Sequence, residues 1–456
     1  MADGRGHAPW VAGMTAGANP AGIHRTIEAV WRIEAARIIG AIARMVRDVG
    51  VAEELAQDAL VTALEQWPAG GVPDNPGAWL MAASRNRALD WLRRARLLER
   101  KHEELGRELE VQDEIATADA AAAADEALDD QVGDDLLRLV FVACHPVLSA
   151  QARVALTLRL LGGLDTDEIA RAYLVPEATI AQRIVRAKRT LREARVPFET
   201  PARDELAGRL ASVLEVIDLI VNEGYSATAG DSWMRPHLCE EALRLGRILA
   251  ELTPDQAEVH GLVALMEIQA SRTHARTGPD GEPVLLLEQN RARWDRLLIN
   301  RGLAALERAT SLGGGLGPYG LQAAIAACHA RATTADATDW ARIAALYDGL
   351  AQLAPSPIVE LNRAVAVSMA FGAAAGLEIV EALAAEPSLA AYQLLPAVRA
   401  DLLAKLDRRE EAAVQFRHAA TLTRNTREQQ LLLARAAECS DAGGPGQLRK
   451  VQPPPG

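Results

Sequence analysis

Aromatic residues and cysteines are scarce in this chain. Only 4% of its 456 residues are aromatic, whereas alanine and leucine recur throughout, and this composition favours helices over sheets. The four cysteines stand about 90 to 110 residues apart and form no CxxC pair, which argues against a zinc site or a redox motif. We interpret them as separate buried thiols: Cys144, Cys239, Cys328 and Cys439.

Long apolar runs are also missing. No run approaches the ~18 to 20 residues that a membrane-spanning helix requires. The first ten residues, MADGRGHAPW, lack the apolar stretch of a secretory signal. We therefore expect a cytoplasmic protein with no membrane contact. Its length allows roughly three domains at ~150 residues each.

Most of the net charge of −12 is concentrated in one segment. Residues 98–135 contain 14 acidic side chains against three basic ones, a balance of −11 that leaves −1 for the rest of the chain. The stretch from Ala118 to Ala127 has no large apolar residue, so it cannot bury enough surface to offset its ordering entropy. We predict an acidic linker over residues 99–133; a solvated acidic helix is the alternative.

Positive charge is concentrated on both sides of this predicted linker. Five arginines fall within residues 85–96 and six cations within residues 183–195, and each stretch contains a single acid. One basic helix alone is usually a solvated surface. Two of them in one chain predict two contacts with one polyanion.

Residues 23–98 predict two helices on either side of a loop. Apolar residues from Ala52 to Trp67 follow the i, i+3, i+4, i+7 spacing of an amphipathic helix, and the polar residues between them, including Glu53, are expected to face outward. A stretch dense in glycine and proline then predicts a loop over residues 67–76.

The second helix of this region is predicted from about Pro76 to Arg100. It carries an aromatic ring, an amide and cations at helical spacing, which are the groups that stack on an unpaired base, bond its edge and neutralise phosphate. They are Trp79, Asn86, Asp90 and the arginines that follow. The alternative interpretation makes Trp79 and Trp91 core residues and Asn86 a surface amide.

Residues 134–196 have the sequence pattern of a helix-turn-helix. Asp165 and Glu168 predict a capping box at the start of a short helix, and a tight turn follows at Leu174 to Pro176. The next helix is expected to place its apolar side inward and a polar side in a major groove. Its exposed candidates are Glu177, Thr179, Gln182, Arg183 and Arg186.

These segments resemble the extracytoplasmic-function (ECF) sigma factors of bacterial RNA polymerase, within the sigma-70 family. AEELAQDA at residues 52–59, NPGAWL at 75–80 and SRNRALDWLRR at 84–94 are similar to region 2 of that family. DEIAR at 167–171 and VPEATIAQRIVRAK at 175–188 are similar to region 4. The two motif sets follow the family's order and are joined by a variable linker.

The resemblance implies partners for each region. The helix with Glu54, Gln57 and Asp58 would bind the clamp helices of the largest subunit of core RNA polymerase. The next helix would open the minus-ten element of promoter DNA, and with the stacking candidate added its residues are Trp79, Arg85, Asn86, Asp90, Arg93 and Arg94. The helix from Glu177 to Lys188 would read the minus-thirty-five element through Glu177, Thr179, Gln182, Arg183, Arg186 and Lys188.

Two departures from the family pattern leave the promoter sequence open. Ala178 stands where glycine is usual, and Ala181-Gln182 stands where Lys-Ser is usual. These positions lie on the helix expected to contact bases, so the base preference at the minus-thirty-five element cannot be carried over from the family.

Residues 200–440 extend beyond a minimal sigma factor of this class and are predicted to be helical throughout. Breaks are expected at Thr253-Pro254, Gly278 to Pro283, Gly313 to Pro318, Pro355 to Pro357, and Pro387. An offset of about 35 residues between two segments suggests tetratricopeptide-like repeats. The extension resembles that of one ECF subset in NEGY at residues 222–225, Asp339-Trp340, Leu346-Tyr347 and PSPIVELNRA at residues 355–364. The resemblance implies that the extension regulates sigma activity, through a separate protein or through the basic helices of the same chain.

The overall prediction is an all-α chain: a region 2 domain (23–98), the acidic linker, a region 4 helix-turn-helix (134–196) and the extension, between disordered ends (1–22 and 441–456). We expect no enzyme activity, because Gly313 to Gly317 lacks the Lys-Ser/Thr of a P-loop. No metal or other cofactor is expected either, since His237 with Cys239 and Cys144 with His145 lack matching second pairs.

Two other functions compete with a sigma factor that directs initiation. One is a stand-alone helix-turn-helix regulator with a repeat-type sensor domain, which would bind duplex DNA without core polymerase. The other is a helical scaffold with solvated basic faces, whose binding would ignore salt, whereas phosphate contacts weaken as salt rises.

Overall fold

The computed structural model describes residues 20–106 and 128–441, and within them the protein is built from α-helices. The all-α fold class is therefore confirmed. The first seven helices are α1 (Pro20–Val46), α2 (Val49–Gly70), α3 (Pro76–Gly106), α4 (Leu128–Ala143), α5 (Ala150–Leu160), α6 (Thr166–Tyr173) and α7 (Glu177–Glu193).

The extension contributes eleven more helices among the described residues. They are α8 (Leu206–Tyr225), α9 (Pro236–Leu252), α10 (Ala257–Ala270), α11 (Arg296–Ser311), α12 (Pro318–Arg331), α13 (Trp340–Leu353), α14 (Pro357–Phe371), α15 (Ala373–Leu383), α16 (Leu394–Lys405), α17 (Arg409–Leu422) and α18 (Thr426–Asp441). Every predicted break in the extension falls between α-helices or ends at the first residue of the next one. Consecutive helices pack on one another, as a repeat array would require, although a repeat of the tetratricopeptide kind stays a prediction.

The chain forms two compact units, and some helices contribute to both. Among the described residues, unit 1 comprises 20–106, 128–143, 158–164 and 188–200. Unit 2 comprises 144–157, 165–187 and 201–441. The helix-turn-helix therefore belongs mainly to the same compact unit as the extension, a grouping that the sequence did not indicate.

Unit 1 contains the predicted apolar stripe of α2. Ala52, Ala56, Ala59 and Ala63 are fully buried and Trp67 is 2% exposed. Alanines along this stripe allow α1 to approach closely. Asp48 caps the helix by accepting a hydrogen bond from the Val51 backbone N–H at 3.0 Å.

The loop and linker bounds differ from the sequence prediction. Helix α2 continues through Pro68 to Gly70, beyond the predicted loop start at residue 67, and ends where Gly71 adopts a φ of 85°.

Helices also occupy both ends of the segment predicted as an acidic linker, residues 99–133. Helix α3 runs to Gly106 through strong helix formers, and α4 begins at Leu128. The centre of that segment, residues 107–127, lies outside the described residues.

One acid counted with the linker charge belongs to the core of unit 1. Asp135 is 2% exposed and forms ion pairs with Arg44 at 2.9 Å and Arg138 at 2.8 Å. Burial raises its pKa, although both guanidinium groups oppose that shift. Asp135 therefore holds α1 and α4 together and is not a free linker charge.

Unit 2 contains the helix-turn-helix with the predicted capping box. The Glu168 backbone N–H donates to Asp165 Oδ1 at 2.6 Å, and the Asp165 N–H donates to Glu168 Oε2 at 2.9 Å. Leu174 adopts the left-handed conformation (φ 49°) and turns the chain toward α7. Ile180, Ile184 and Ala187 of α7 are buried as predicted.

A short parallel pairing joins the beginning and the end of the extension. Strand β1 (Ala229–Gly230) pairs with β2 (Arg424–Asn425). The buried Asn425 side chain donates from Nδ2 to the carbonyl oxygens of Ala227 and Ser232 at 3.1 and 2.8 Å. In a simple stack of repeats, each repeat contacts only its neighbours, so this pairing of the two ends of the extension is not expected of such a stack.

Candidate nucleic-acid interface

The three residues predicted to meet the polymerase lie on α2 in unit 1. Glu54 and Asp58 are exposed and stand four residues apart, so they share one side of the helix. Gln57 is partly buried, and its Nε2 donates to Glu53 Oε1 at 2.5 Å. Two carboxylates are thus available at the surface, while the amide is engaged within the helix.

Glu53 is buried, contrary to the expectation that it faces outward. It is 2% exposed, its Oε1 accepts a hydrogen bond from Arg159 Nε at 2.6 Å, and its Oε2 lies 2.5 Å from Lys188 Nζ. A buried carboxylate needs such partners, because an isolated charge is strongly disfavoured away from water. Lys188, predicted to contact the minus-thirty-five element, is therefore engaged in an internal ion pair.

Further ion pairs involve the end of the second basic stretch. Arg192 Nε donates to Asp48 Oδ2 at 2.6 Å, and this bond lowers the pKa of Asp48 against the opposing effect of burial. A cavity of about 600 Å³ in unit 1 is lined by six cations, of which Arg44, Arg138, Lys188 and Arg192 are paired with carboxylates. This part of the basic stretch contributes to the packing of unit 1.

Helix α3 presents its predicted minus-ten residues along one side. Trp79 is half-buried, and its ring lies edge-on to Trp67 with centroids 5.4 Å apart. Asn86, Asp90, Arg93 and Arg94 are exposed, and Arg85 is partly buried. Trp79 therefore packs in part on Trp67, as the core interpretation expects, and its stacking on an unpaired base stays a prediction.

Two further contacts define the polar side of α3. Arg93 Nη1 donates to Asp90 Oδ1 at 3.1 Å, and both side chains are more than half exposed. Such a surface pair contributes little to stability, so its groups can exchange partners readily. Arg87 is used internally: its Nη1 donates to the Ala83 carbonyl at 3.2 Å, and its Nη2 bonds to Thr62 on α2.

The predicted minus-thirty-five residues lie at the start of α7. Glu177, Gln182 and Arg186 are exposed, whereas Thr179 and Arg183 are partly buried. Within the described part of the chain, no ion pair joins Arg183 or Arg186 to a carboxylate. These two guanidinium groups are therefore available to a polyanion, in contrast with Lys188.

Within unit 2, helix α8 of the extension contacts helix α5, which precedes the helix-turn-helix. The buried Arg153 of α5 donates from Nη1 to Ser212 Oγ at 2.5 Å and to Glu215 Oε2 at 2.9 Å, both on α8. Ser212 Oγ in turn donates to the Cys144 carbonyl at 2.6 Å. These contacts involve α5 and leave the exposed residues of α7 uncovered by α8.

Sequence reasoning did not identify Glu53, Asp48, Arg153 or Ser212 as structurally important. Each pairs with a residue 59 to 144 positions away. Local periodicity carries no signal for such pairs. The capping position of Asp48 was the only local indication available.

Comparison with known families divides the chain in the same way as the motifs do. Residues 32–97 match the family described as Sigma-70 region 2, and residues 138–191 match Sigma-70, region 4. Residues 209–310 match a family of unknown function (DUF6596). All predicted polymerase and DNA residues lie inside the two sigma-70 segments.

Curated relatives include proteins of known and unknown function. An uncharacterized protein of Rhizobium meliloti, R00370, is 42% identical over 394 residues, covering 86% of this chain and 90% of the relative. The ECF RNA polymerase sigma factor SigK of Mycobacterium ulcerans is 31% identical over 162 residues, 34% of this chain and 78% of the relative. The probable ECF sigma factor SigI of Mycobacterium tuberculosis is 27% identical over 206 residues, 43% of this chain and 68% of the relative.

No solved structure matches the chain.

Among residues 20–106 and 128–441, no helix combines the length and the apolar character needed to cross a membrane. All four cysteines are free thiols; Cys144, Cys239 and Cys328 are buried as expected, whereas Cys439 is only partly buried. Burial raises the pKa of Cys144 to about 11 and that of Cys239 to about 12.

Proposed function

Because the chain belongs to the ECF family of RNA polymerase sigma factors, we propose that it binds core RNA polymerase, recognises two promoter elements and promotes DNA melting. One observation carries this proposal: a half-buried indole, an exposed amide and exposed guanidinium groups follow one another along α3. A surface of that chemistry binds single-stranded DNA by stacking and phosphate contacts.

Helix α2 supplies the polymerase contact. Glu54 and Asp58 project from the exposed side of α2, and Gln57 lies between them. This arrangement supports binding to the clamp helices of the largest subunit of the polymerase. Loss of the Glu54 charge is expected to weaken that complex, because an exposed carboxylate contributes mainly through a partner that is absent from the free protein.

Helix α3 captures unpaired bases of the minus-ten element. Flipping a base out of the duplex costs a few kcal/mol, and stacking on an aromatic ring contributes ~1 to 3 kcal/mol per base. Trp79 offers the ring, Asn86 and Asp90 offer hydrogen bonds to a base edge, and Arg85, Arg93 and Arg94 offer phosphate contacts.

Helix α7 reads the minus-thirty-five element in the major groove. Glu177, Thr179, Gln182, Arg183 and Arg186 form its available polar side. Lys188 can join them only when its ion pair with Glu53 opens, so we assign it a DNA contact in the polymerase complex and an internal contact in the free protein.

The extension regulates this activity. Its helix α8 holds Arg153, a buried residue of the helix-turn-helix domain, and the two share one compact unit. That packing supports a regulatory influence on region 4, whether a separate protein or another part of the same chain acts on the extension.

Run-off transcription with bacterial core polymerase and genomic templates tests the proposal. We expect transcripts that appear only when the full-length protein is added, and fewer of them with Asn86→Ala or Arg186→Gln. Arg399→Gln is the matched control, since Arg399 forms an ion pair with Glu381 within the extension and belongs to neither helix.

A chain ending at Thr200 is a poor comparison here. It would remove Ser212 and Glu215 and leave Arg153 buried without its partners. Full-length variants avoid that loss. A protein that binds duplex promoter DNA tightly by itself, without core-dependent transcripts, would contradict the proposal and select a stand-alone regulator.

A further inference from the structure

The extension contains a cluster of arginines and aromatic rings for which the proposed function gives no role. The cluster consists of Arg272, Arg276 and Arg291 with Tyr225, Trp233 and Trp294, all within unit 2 and within the segment matching the family of unknown function. We name it the arginine–aromatic cluster.

Shared rings bring the three guanidinium groups together. Arg276 Cζ lies 3.2 Å from the centroid of the Tyr225 ring, and Arg272 Cζ lies 5.5 Å from the same centroid. Arg272 Cζ is also 5.7 Å from the Trp294 ring, and Arg291 Cζ is 5.1 Å from it. The Tyr225 ring is thus shared by Arg272 and Arg276, and the Trp294 ring is shared by Arg272 and Arg291.

Arg276 and Arg291 are buried and Arg272 is partly buried, and among the described residues no carboxylate forms an ion pair with any of the three. Arg276 is only 5% exposed, its Nη1 has no hydrogen-bond partner, and Arg272 Nε is likewise buried without one. Burial lowers the pKa of Arg276 to about 9 and that of Arg272 to about 10, and no carboxylate counters the effect. A buried cation normally has an anionic partner.

Nearby buried acids are already engaged elsewhere. Glu223 pairs with Arg235, and Glu267 pairs with Arg247. Burial, together with the charges of Arg272 and Arg291, lowers the pKa of the His329 imidazole to about 4, so this side chain adds no positive charge and supplies no anion. The field around the cluster therefore favours an anion.

Arg291 differs from the other two cations because its donors are largely satisfied. Its Nη1 donates to the carbonyl oxygens of His329 and Ala332 at 2.6 and 2.8 Å, and its Nη2 donates to Thr338 Oγ1 at 2.9 Å. Arg291 therefore holds the cluster in place. Arg272 donates from Nη2 to the Tyr225 hydroxyl but keeps Nε unpartnered, and Arg276 keeps Nη1 unpartnered, so both retain a donor for another group.

From this geometry we propose that the arginine–aromatic cluster binds a small phosphate-bearing anion. Two guanidinium groups with unmet donors match the charge and the several oxygens of a phosphate, whereas one carboxylate would neutralise only one of them. Duplex DNA does not fit, because Arg276 is buried. The turn that follows Arg276, closed by the Thr277–Pro283 bridge, is exposed at its tip, at Pro279 and Asp280.

Hydrogen-exchange mass spectrometry on the full-length protein tests the site. The probes are inorganic phosphate, inorganic pyrophosphate and adenosine triphosphate, each compared with sodium chloride at equal ionic strength. We expect saturable protection of residues 271–295. Protection by inorganic phosphate identifies free phosphate as sufficient, and protection by the larger probes alone identifies a phosphoester or diphosphate; either supports the proposal.

The same experiment contains the contrary results. Protection confined to residues 183–195 would mean that the anion binds the DNA-contacting arginines, and it would overturn the proposal. The absence of localised protection with all three probes would overturn it as well.

Substitution of Arg276 provides the second measurement. Arg276→Gln should weaken binding of the active probe at least about tenfold by calorimetry, a loss of about 1.4 kcal/mol, while Arg399→Gln should leave it unchanged. If Arg276→Gln does not fold, Arg276→Lys keeps the charge without the guanidinium fork and should still weaken binding. Unchanged affinity in the folded variant would overturn the assignment.

Discussion

Replacement of Glu53 by glutamine tests the buried charge network of unit 1. Glutamine preserves the shape of the side chain but removes the charge that faces Arg159 and Lys188. Those two cations retain only 21% and 19% of their side-chain exposure, so water can solvate them only in part. The variant leaves two partly buried positive charges without their common carboxylate.

The expected loss of stability is large. Breaking a buried ion pair by removing one partner costs about 3–5 kcal/mol. Because the two cations keep about a fifth of their surface in water, we expect the lower end, about 3 kcal/mol in the free energy of unfolding of unit 1. At roughly 2–4 °C per kcal/mol, the melting temperature of that unit should fall by about 6–12 °C.

The neighbouring residue provides a matched control. Glu54→Gln makes the same chemical change one position along α2, but Glu54 is exposed, so its effect on stability should stay within about 0.5 kcal/mol. Its effect should instead be a weaker complex with core polymerase.

Thermal unfolding combined with hydrogen exchange of α2 peptides measures the stability of both variants, and fluorescence anisotropy with labelled protein measures core binding. A Glu53→Gln protein as stable as the wild type would refute the reasoning. So would a Glu54→Gln protein that loses stability but binds core normally.

Three further predictions concern DNA binding, packing and pH. Arg186→Gln should reduce the slope of log affinity against log salt by about 1 in promoter binding of the polymerase complex, and an unchanged slope would show that Arg186 makes no phosphate contact. Gly261→Ala should destabilise unit 2 by more than 1 kcal/mol in denaturant titrations, because an added Cβ would lie 2.7 Å from the backbone N of Gly320, which cannot move aside as a flexible side chain can; Gly208→Ala, in open space, should not destabilise it, and equal losses would contradict the packing argument. Burial raises the pKa of Asp218 to about 6, so the folded state binds this proton more tightly than the unfolded state does. The free energy of unfolding gained in this way is present in acid and is lost as the pH rises through about 6. Asp218→Asn should flatten that part of the plot of unfolding free energy against pH, and an unaltered plot would argue against the shift.

Local sequence determined many helix boundaries, although α2 and α3 run past their predicted ends. The Asp165–Glu168 capping box, the alanine stripe of α2 and the proline and glycine breaks of the extension all have the structural counterparts expected of them. These features depend on residues within one or two helical turns, so spacing alone reveals them. The exposed candidates Asn86, Asp90 and Arg186 were also predictable, since a helical face follows from the same period.

Tertiary structure alone decided which charges are buried and what they contact. Glu53 has the sequence surroundings of a surface residue, yet Arg159 and Lys188 enclose it from positions more than 100 residues away. The pairing of β1 with β2, and the contacts of Arg272, Arg276 and Arg291 with shared rings, likewise bring together segments that are separate in the sequence. Periodicity specifies the side of a helix on which a residue lies, but the neighbour on that side depends on how the helices pack.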